Sequence, residues 1–480
     1  MKNMQMLIGG KWVGNADNQQ IQIINPATEE VFACVPTASG QDVEAAINAA
    51  DNAFPEWSSL TPFQRGKYLR TASSMVLQRS KKIAELLTAE QGKPYKEALG
   101  EVIKGADILR YYAEEGERIY GRIIANENAG DRSFVIYLPV GVAAAISPWN
   151  YPIELIAWKI GAALAAGCTI ICKLPSDTPL SPLAFIECLA DAGIPAGVVN
   201  ALTGAGNSIG PMLLNNGKVK KVAFTGSTEV GKQVLGLCAH TLKKVSLELG
   251  GSLPMIVCKD CNLHAAVIGA VRRSFRNMGQ ICIAINRIYV DKTIYEVFIE
   301  KFVEETQKLI IGNGLEKDCD LGPMATRKGL EVVQKHIDDA VSKGAVISCG
   351  GKRPEGTEFG KGYFFEPTIL RDVDHRMLVM KEETFGPVVG VMPFEDIEQA
   401  IHLANDTRYG LAAIVFTQDL TLANYLSQKV NAGNVAINNV DAGVINAPYG
   451  GWNDSGFGSE HGPEGLYEYL RVKHIRTRFL

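Results

Sequence analysis

What this chain of 480 residues has little of narrows its function before any motif is read. It has no surplus of basic charge: 48 Lys and Arg stand against 52 Asp and Glu, a formal net charge of −4. A dedicated nucleic-acid binder would show a basic excess or a dense basic patch. It has no apolar run suited to a bilayer, because the uncharged span between Arg132 and Glu154 is broken by Pro139, Pro148 and Pro152, and Ile160 to Cys172 is too short. No signal-peptide pattern opens MKNMQMLIGGKWVGNADNQQ. The 10 cysteines have no regular spacing, so they read as reduced thiols, and a cytoplasmic location is expected. Low net charge and 46% hydrophobic residues exclude disorder. Neither nucleic acid nor membrane is expected as a partner, and no metal site is expected. Cys258-Lys-Asp-Cys261 has no second C-x-x-C and reads as a strand-end turn; Cys168 and Cys172 read as buried small hydrophobes.

Apolar content and a high glycine count, 48 residues, point to two or three α/β domains with tight turns. Helical and strand patterns alternate. Asp42 to Phe54 and Arg65 to Gln91 read as helical, the latter as a helix pair. Val140–Ile146, Thr169–Cys172, Gly197–Leu202 and Lys221–Thr225 read as strands, separated by helices at Leu155–Ala166 and Pro182–Ala192. Repeated β-α-β implies a parallel, doubly wound sheet. The pattern restarts after Leu249-Gly-Gly251, with strands at Pro254–Val257, Arg287–Val290 and Gly390–Pro393 and helices at His264–Asn277, Ile294–Leu309 and Leu330–Lys343. A second α/β unit therefore spans about 250 to 440. No Pro/Ser linker separates the halves, so they should pack closely across a cleft.

Five segments can carry chemistry. In Phe224-Thr-Gly-Ser-Thr-Glu-Val-Gly-Lys232 a strand runs through Gly226 and Gly231 into a helix, where free backbone N–H groups suit a phosphate. It is otherwise an ordinary βα turn. It nearly matches a P-loop, but Gln233 has no hydroxyl for Mg²⁺, and Gly204, Gly206 and Gly210 are spaced too widely for G-x-G-x-x-G. Cys282, after a Gly-Gln turn, is either a nucleophile with a backbone-favoured thiolate or a structural cysteine. Glu248, between two leucines, is either a desolvated general base or a strand-end residue facing solvent. In Ser147-Pro-Trp-Asn150-Tyr-Pro152, Asn150 either points its amide at a developing oxyanion or caps a rigid turn. Glu382-Glu383-Thr-Phe-Gly-Pro387 suits ribose hydroxyls and a flat ring, or is merely a loop.

Taken in order, PWNYP, KLPSDTPLSP, FTGSTEVG, LELGG, GQICIAINR, EETFGPV and PYGGWNDSGFG resemble the aldehyde dehydrogenase superfamily over essentially the whole chain, from Asn25-Pro-Ala-Thr28 onward. The resemblance implies NAD(P)⁺-dependent oxidation of a small-molecule aldehyde to its acid. Cys282 would attack the carbonyl, Asn150 would hold the oxyanion, and Glu248 would activate the water that hydrolyses the thioester. Lys159 and Glu460 match a proton relay. Lys173 and Ser176 would meet the adenine-side ribose, Gly226, Ser227 and Gly231 the pyrophosphate, Glu383 the nicotinamide ribose, and Trp149 and Phe385 the cofactor ring region. Trp158, Ile281 and Ile283 would line the substrate pocket. The glycines Gly226, Gly231, Gly250, Gly251, Gly279 and Gly386 would let backbone approach cofactor or substrate.

The implied architecture is two doubly wound α/β domains plus a small β oligomerisation ribbon. The cofactor-binding domain would take 1–118 and 139–247, the catalytic domain 248–440, and the ribbon 119–138 and 467–480, giving a homodimer or homotetramer. Ser176 stands where many NAD-preferring members carry Glu, with Asp177 next, so NADP is expected to be used alongside NAD. Trp158 stands where semialdehyde-oxidising relatives often carry Arg, which favours a neutral or apolar aldehyde, although Glu154 adds a negative charge. The alternatives are a semialdehyde dehydrogenase of the succinate semialdehyde or lactaldehyde type and, more remotely, a Cys-dependent acyl hydrolase or transferase. A non-catalytic member would have lost Cys282, Glu248 or Asn150.

Overall fold

A computed structural model describes residues 2–14 and 19–479. Met1 and Leu480, the first residue of the expected cofactor domain and the last of the expected ribbon, lie outside the described residues, as do residues 15–18. Two large sheets carry the fold. The first has eight strands in the order Gly456–Phe457, Lys244–Glu248, Val219–Thr225, Val142–Ile146, Thr169–Lys173, Val199–Leu202, Met6–Ile8 and Lys11–Val13. Its five central strands run parallel. They are short and rich in Val, Ile and Ala, and are buried on both faces, as crossover helices require. The second sheet has seven strands in the order Val346–Cys349, Thr368–Arg371, Val388–Phe394, Ile285–Asp291, Leu253–Val257, Ala412–Phe416 and Asn434–Ile437. The first pairing is antiparallel and the rest are parallel.

Two smaller sheets lie outside these. Arg122–Ile124, Asp131–Pro139 and Leu470–Arg478 form an antiparallel ribbon, joined along nine residues of its long pair from Leu470↔Pro139 to Arg478↔Asp131. Ile123, Val472 and Phe479 are exposed there. Lys2–Asn3, Glu30–Pro36 and Gln20–Asn25 form the other.

The sequence pattern differs from the structure in two instructive places. Arg65 to Gln91 is not a helix pair but part of one helix, Pro62–Gln91, opened by a Thr61/Gln64 capping box and closed by Gly92 at φ 94°. Its buried residues, Leu69, Ala72, Val76, Ile83, Ala84 and Leu87, lie beneath a mostly polar outer face on which Phe63 and Leu77 are exposed. The chain also returns to the first sheet late, when Gly456–Phe457 pairs antiparallel with Lys244–Glu248 beyond the second α/β unit. Cys258 and Cys261 bracket a turn closed by Cys261 N–H donating to the Cys258 carbonyl, and Cys168 and Cys172 are fully buried.

The carboxyl ends of the first sheet's parallel strands aim at the cleft. Glu248, Thr225 and Lys173 are the last residues of their strands, and Asn150 lies in the loop after Val142–Ile146. Ligands bind there in open α/β sheets.

Candidate active site

A cavity of about 340 Å³ opens where the two units meet. Asn150, Glu248, Cys282 and Tyr449 line it, with Trp158, Ile281 and Ile283 as apolar wall. Cys282 sits in the turn between the short helix Arg276–Gly279 and the strand Ile285–Asp291. Before it, Asn277, Met278 and Gly279 all take positive φ, a conformation strained for the first two. Gly279 must be glycine for a protein reason: a Cβ there would collide with the Gly386 carbonyl, and one on Gly386 would collide with Val333. The same holds for Gly231, which packs on Leu249, and Gly226, which packs on the Phe224 ring. At these four positions the space of the missing side chain is filled by protein, so glycine is required there by packing. Gly250 differs in kind, since its bare Cα lets the Glu383 carboxylate approach; a Cβ would stand 2.5 Å from Oε2.

Glu248 is 4% exposed, and neither carboxylate oxygen has a hydrogen-bond partner among the described residues. Burial, reinforced by the nearby Glu460 charge, pushes its pKa up to about 8, while Lys159 opposes the shift. Its side chain is buried rather than turned to solvent. Lys159, also buried, donates to Glu460 Oε1 at 2.6 Å and to Thr225 Oγ1 at 2.7 Å. The Cys282 thiol is held well above its ordinary value, first by burial and then by the Glu248 and Glu383 charges.

Asn150 Nδ2 donates one hydrogen to the Gln280 carbonyl at 3.0 Å, leaving a second for the cavity. The loop around it is clamped by residues that the sequence did not single out. Lys93 Nζ donates to the Asn150 carbonyl at 2.7 Å and to Glu101 Oε2 at 2.6 Å, and Asn277 Nδ2 donates to the same carbonyl at 3.2 Å. Glu101 Oε1 accepts from the backbone N–H groups of Ile153 and Glu154, the start of the helix Pro152–Ala166. The spacing of Lys93 and Glu101 is not that of helix neighbours, so no local pattern announces the pair.

The cofactor-side residues lie along the strand ends. Lys173 is 5% exposed and its ammonium makes no hydrogen bond among the described residues; burial lowers its pKa to about 8. The Ser176 hydroxyl donates to the Gly204 carbonyl at 3.0 Å. Ser227 caps the helix Thr228–Ala239, accepting from Val230 N–H. Glu383 Oε1 accepts from Gly251 N–H at 3.1 Å, and burial raises its pKa to about 7. Phe385, at φ 50°, meets the Trp149 ring edge-on at 5.4 Å. A nearly buried, unbonded ammonium, a capped helix N-terminus and a carboxylate seated over bare backbone suit the ribose and pyrophosphate of a dinucleotide.

The family model described as "Aldehyde dehydrogenase family" matches residues 12–475. The chain is 44% identical to the glutarate-semialdehyde dehydrogenase of Pseudomonas putida (98% of this chain, 97% of that one). It is 43% identical to the NADP(+) succinate-semialdehyde dehydrogenase of Escherichia coli (98% and 97%). A crystal structure of Staphylococcus aureus betaine aldehyde dehydrogenase in complex with NAD+ superposes with TM-score 0.96 at 36% identity, covering 99% of this chain and 94% of that one. The chain belongs to the aldehyde dehydrogenase family. It is an oxidoreductase that oxidises an aldehyde with NAD or NADP, and its α/β architecture is that of the family. No helix among the described residues is long and apolar enough to cross a membrane.

Proposed function

We propose that Cys282 is the nucleophile, Asn150 the oxyanion donor and Glu248 the general base of this oxidation. The observation that carries the reading is the unpaired, buried Glu248 carboxylate in the cavity that also holds the Cys282 thiol and the Asn150 amide. Cys282 Sγ gives its proton to Glu248 and forms a C–S bond to the carbonyl carbon, whose π pair moves to oxygen. The Asn150 N–H steadies that oxygen. A bound nicotinamide would supply the hydride acceptor, and with the hydride gone the restored carbonyl stays on Cys282 as a thioester. Glu248 then takes a proton from the attacking water, and the C–S pair returns to sulfur. Between these steps Glu248 sheds its proton, for which the Lys159–Glu460 pair offers a relay. Lys173 and Ser176 would hold the adenine-side ribose, Gly226, Ser227 and Gly231 the pyrophosphate, Glu383 the second ribose, and Trp149 with Phe385 the ring. Ser176 is small and uncharged, which supports use of both NAD and NADP.

The substrate is an aldehyde with a distal anionic group. Trp158 lines the cavity as an apolar wall, but cations stand beside it. Lys104 Nζ lies 6.0 Å over the Trp158 ring, and Arg276 also lines the cavity. Burial raises the Glu154 carboxyl, so its charge is weakened. Both curated relatives named above act, by name, on semialdehydes of dicarboxylic acids. The exposed ribbon apolars support a homodimer or homotetramer, and the free state of all 10 cysteines supports a cytoplasmic location.

The test is a panel of neutral and carboxylate-bearing aldehydes, read as NADH and NADPH formation. Turnover should favour the anionic members, both coenzymes should be reduced, and Cys282→Ala should lose about 10⁴-fold or more in kcat while still binding coenzyme. A preference for neutral aldehydes would overturn the substrate class; activity in Cys282→Ala would overturn the mechanism.

A further inference from the structure

We propose that the Tyr449 hydroxyl is a second catalytic hydrogen-bonding group on Cys282, donating to the sulfur when it is anionic, before attack and again as it leaves the thioester. The inference rests on Cys282 being the nucleophile and adds a group that the motif PYGGW does not reveal as reactive.

The Tyr449 backbone is fixed by a reciprocal pair of hydrogen bonds with Glu460, N–H to carbonyl in each direction, at 2.8 and 2.7 Å. Its ring stacks on His461 at 4.8 Å and 19°, and His461 stacks in turn on Trp158 at 3.6 Å and 21°. His461 is held at φ 58°, a conformation that persists only where surroundings over-determine it. The stack leaves the Tyr449 side chain 6% exposed and its hydroxyl with one partner among the described residues, Cys282 Sγ at 3.9 Å. That distance is the outer reach of an O–H···S contact, as resting geometries of catalytic groups often are.

The direction of the bond follows from the surroundings. Burial and the Cys282 and Glu248 charges raise the Tyr449 phenol well above its ordinary value, so it keeps its proton and, once the sulfur is anionic, is the donor. Burial, Glu248 and Glu383 push the Cys282 thiol up, and the hydrogen bond from Tyr449 pulls it down. Arg273 also faces Tyr449, but it is tied to Asp441. Two carboxylates thus oppose formation of the thiolate, and one neutral donor favours it.

The experiment is Tyr449→Phe in the full-length enzyme, which removes the hydroxyl and keeps the ring stack. The pH dependence of iodoacetamide labelling, mapped to Cys282 and followed alongside loss of activity, should move up by about one unit, a roughly tenfold slower labelling below both midpoints. The rising limb of kcat/KM should move the same way, with coenzyme affinity unchanged. An unchanged labelling midpoint would overturn the role of Tyr449 while leaving Cys282 as nucleophile, provided labelling still abolishes activity. Labelling of Cys282 that leaves activity intact would instead overturn the nucleophile and this inference with it.

Discussion

Two glutamates are buried around the same cavity and are treated in opposite ways. Glu101, on the helix Tyr95–Glu115, has its carboxylate fully engaged by the Lys93 ammonium and by the N–H groups of Ile153 and Glu154. Glu248, at the end of a sheet strand, has no hydrogen-bond partner on either oxygen among the described residues. The first arrangement fixes geometry: it closes the start of the helix Pro152–Ala166 and, through Lys93, holds the Asn150 carbonyl. The second keeps a carboxylate unsatisfied at the cost of stability, so that its basicity is available to a thiol or a water. A buried acid with both oxygens hydrogen-bonded positions its surroundings; one with neither bonded is suited to proton transfer.

Breaking the engaged carboxylate has the larger effect. Lys93→Met removes the cation and leaves Glu101 buried and uncompensated, which should cost about 3–5 kcal/mol in a denaturant melt. It should also lower kcat by about 10²-fold, since the Asn150 loop loses its grip. Glu101→Gln should cost less. Burial already lowers the Lys93 pKa, so the lysine can shed its proton when the carboxylate is gone. The folded state then binds fewer protons than the unfolded one, so stability rises with pH and the deficit of Glu101→Gln shrinks from pH 7 to 9.

Neutralising the other carboxylate should shift stability in the opposite direction. The folded pKa of Glu248, about 8, lies above the unfolded carboxylate value of about 4.3, so the folded state holds the extra proton between them. Wild-type stability therefore falls as pH rises through that window. Glu248→Gln has no such proton, so its melting temperature should exceed that of the wild type by a margin that grows from pH 5 to pH 8.

Much of this was legible in the chain itself, and the gaps have physical causes. The β-α-β alternation marks both parallel sheets, because strands buried on two faces are short apolar runs flanked by glycine. The two-residue strand Gly456–Phe457 is invisible because its partner, Lys244–Glu248, is remote and the pairing too short for periodicity. Pro62–Gln91 reads as two helices because its outer face, though mostly polar, carries exposed Phe63 and Leu77 and gives no single clean stripe. At the site, Glu248 between two leucines left desolvation and exposure equally open, since a strand end can face either way. Lys93 and Glu101 look like ordinary solvated charges, and Tyr449 looks like the aromatic of a glycine-rich turn. Their roles depend on which distant backbone or sulfur folding brings to them.

The proposed base for thioester hydrolysis is Glu248, unpartnered among the described residues. Its most direct test is a rapid-mixing measurement of reduced coenzyme in Glu248→Gln with excess aldehyde. Glu248→Gln should slow formation of the thioester and slow its hydrolysis further, so that a burst of reduced coenzyme approaching one equivalent per active site precedes turnover slowed by about 10²-fold or more, with acyl label recoverable on Cys282. A linear, burst-free time course at the wild-type rate would contradict it.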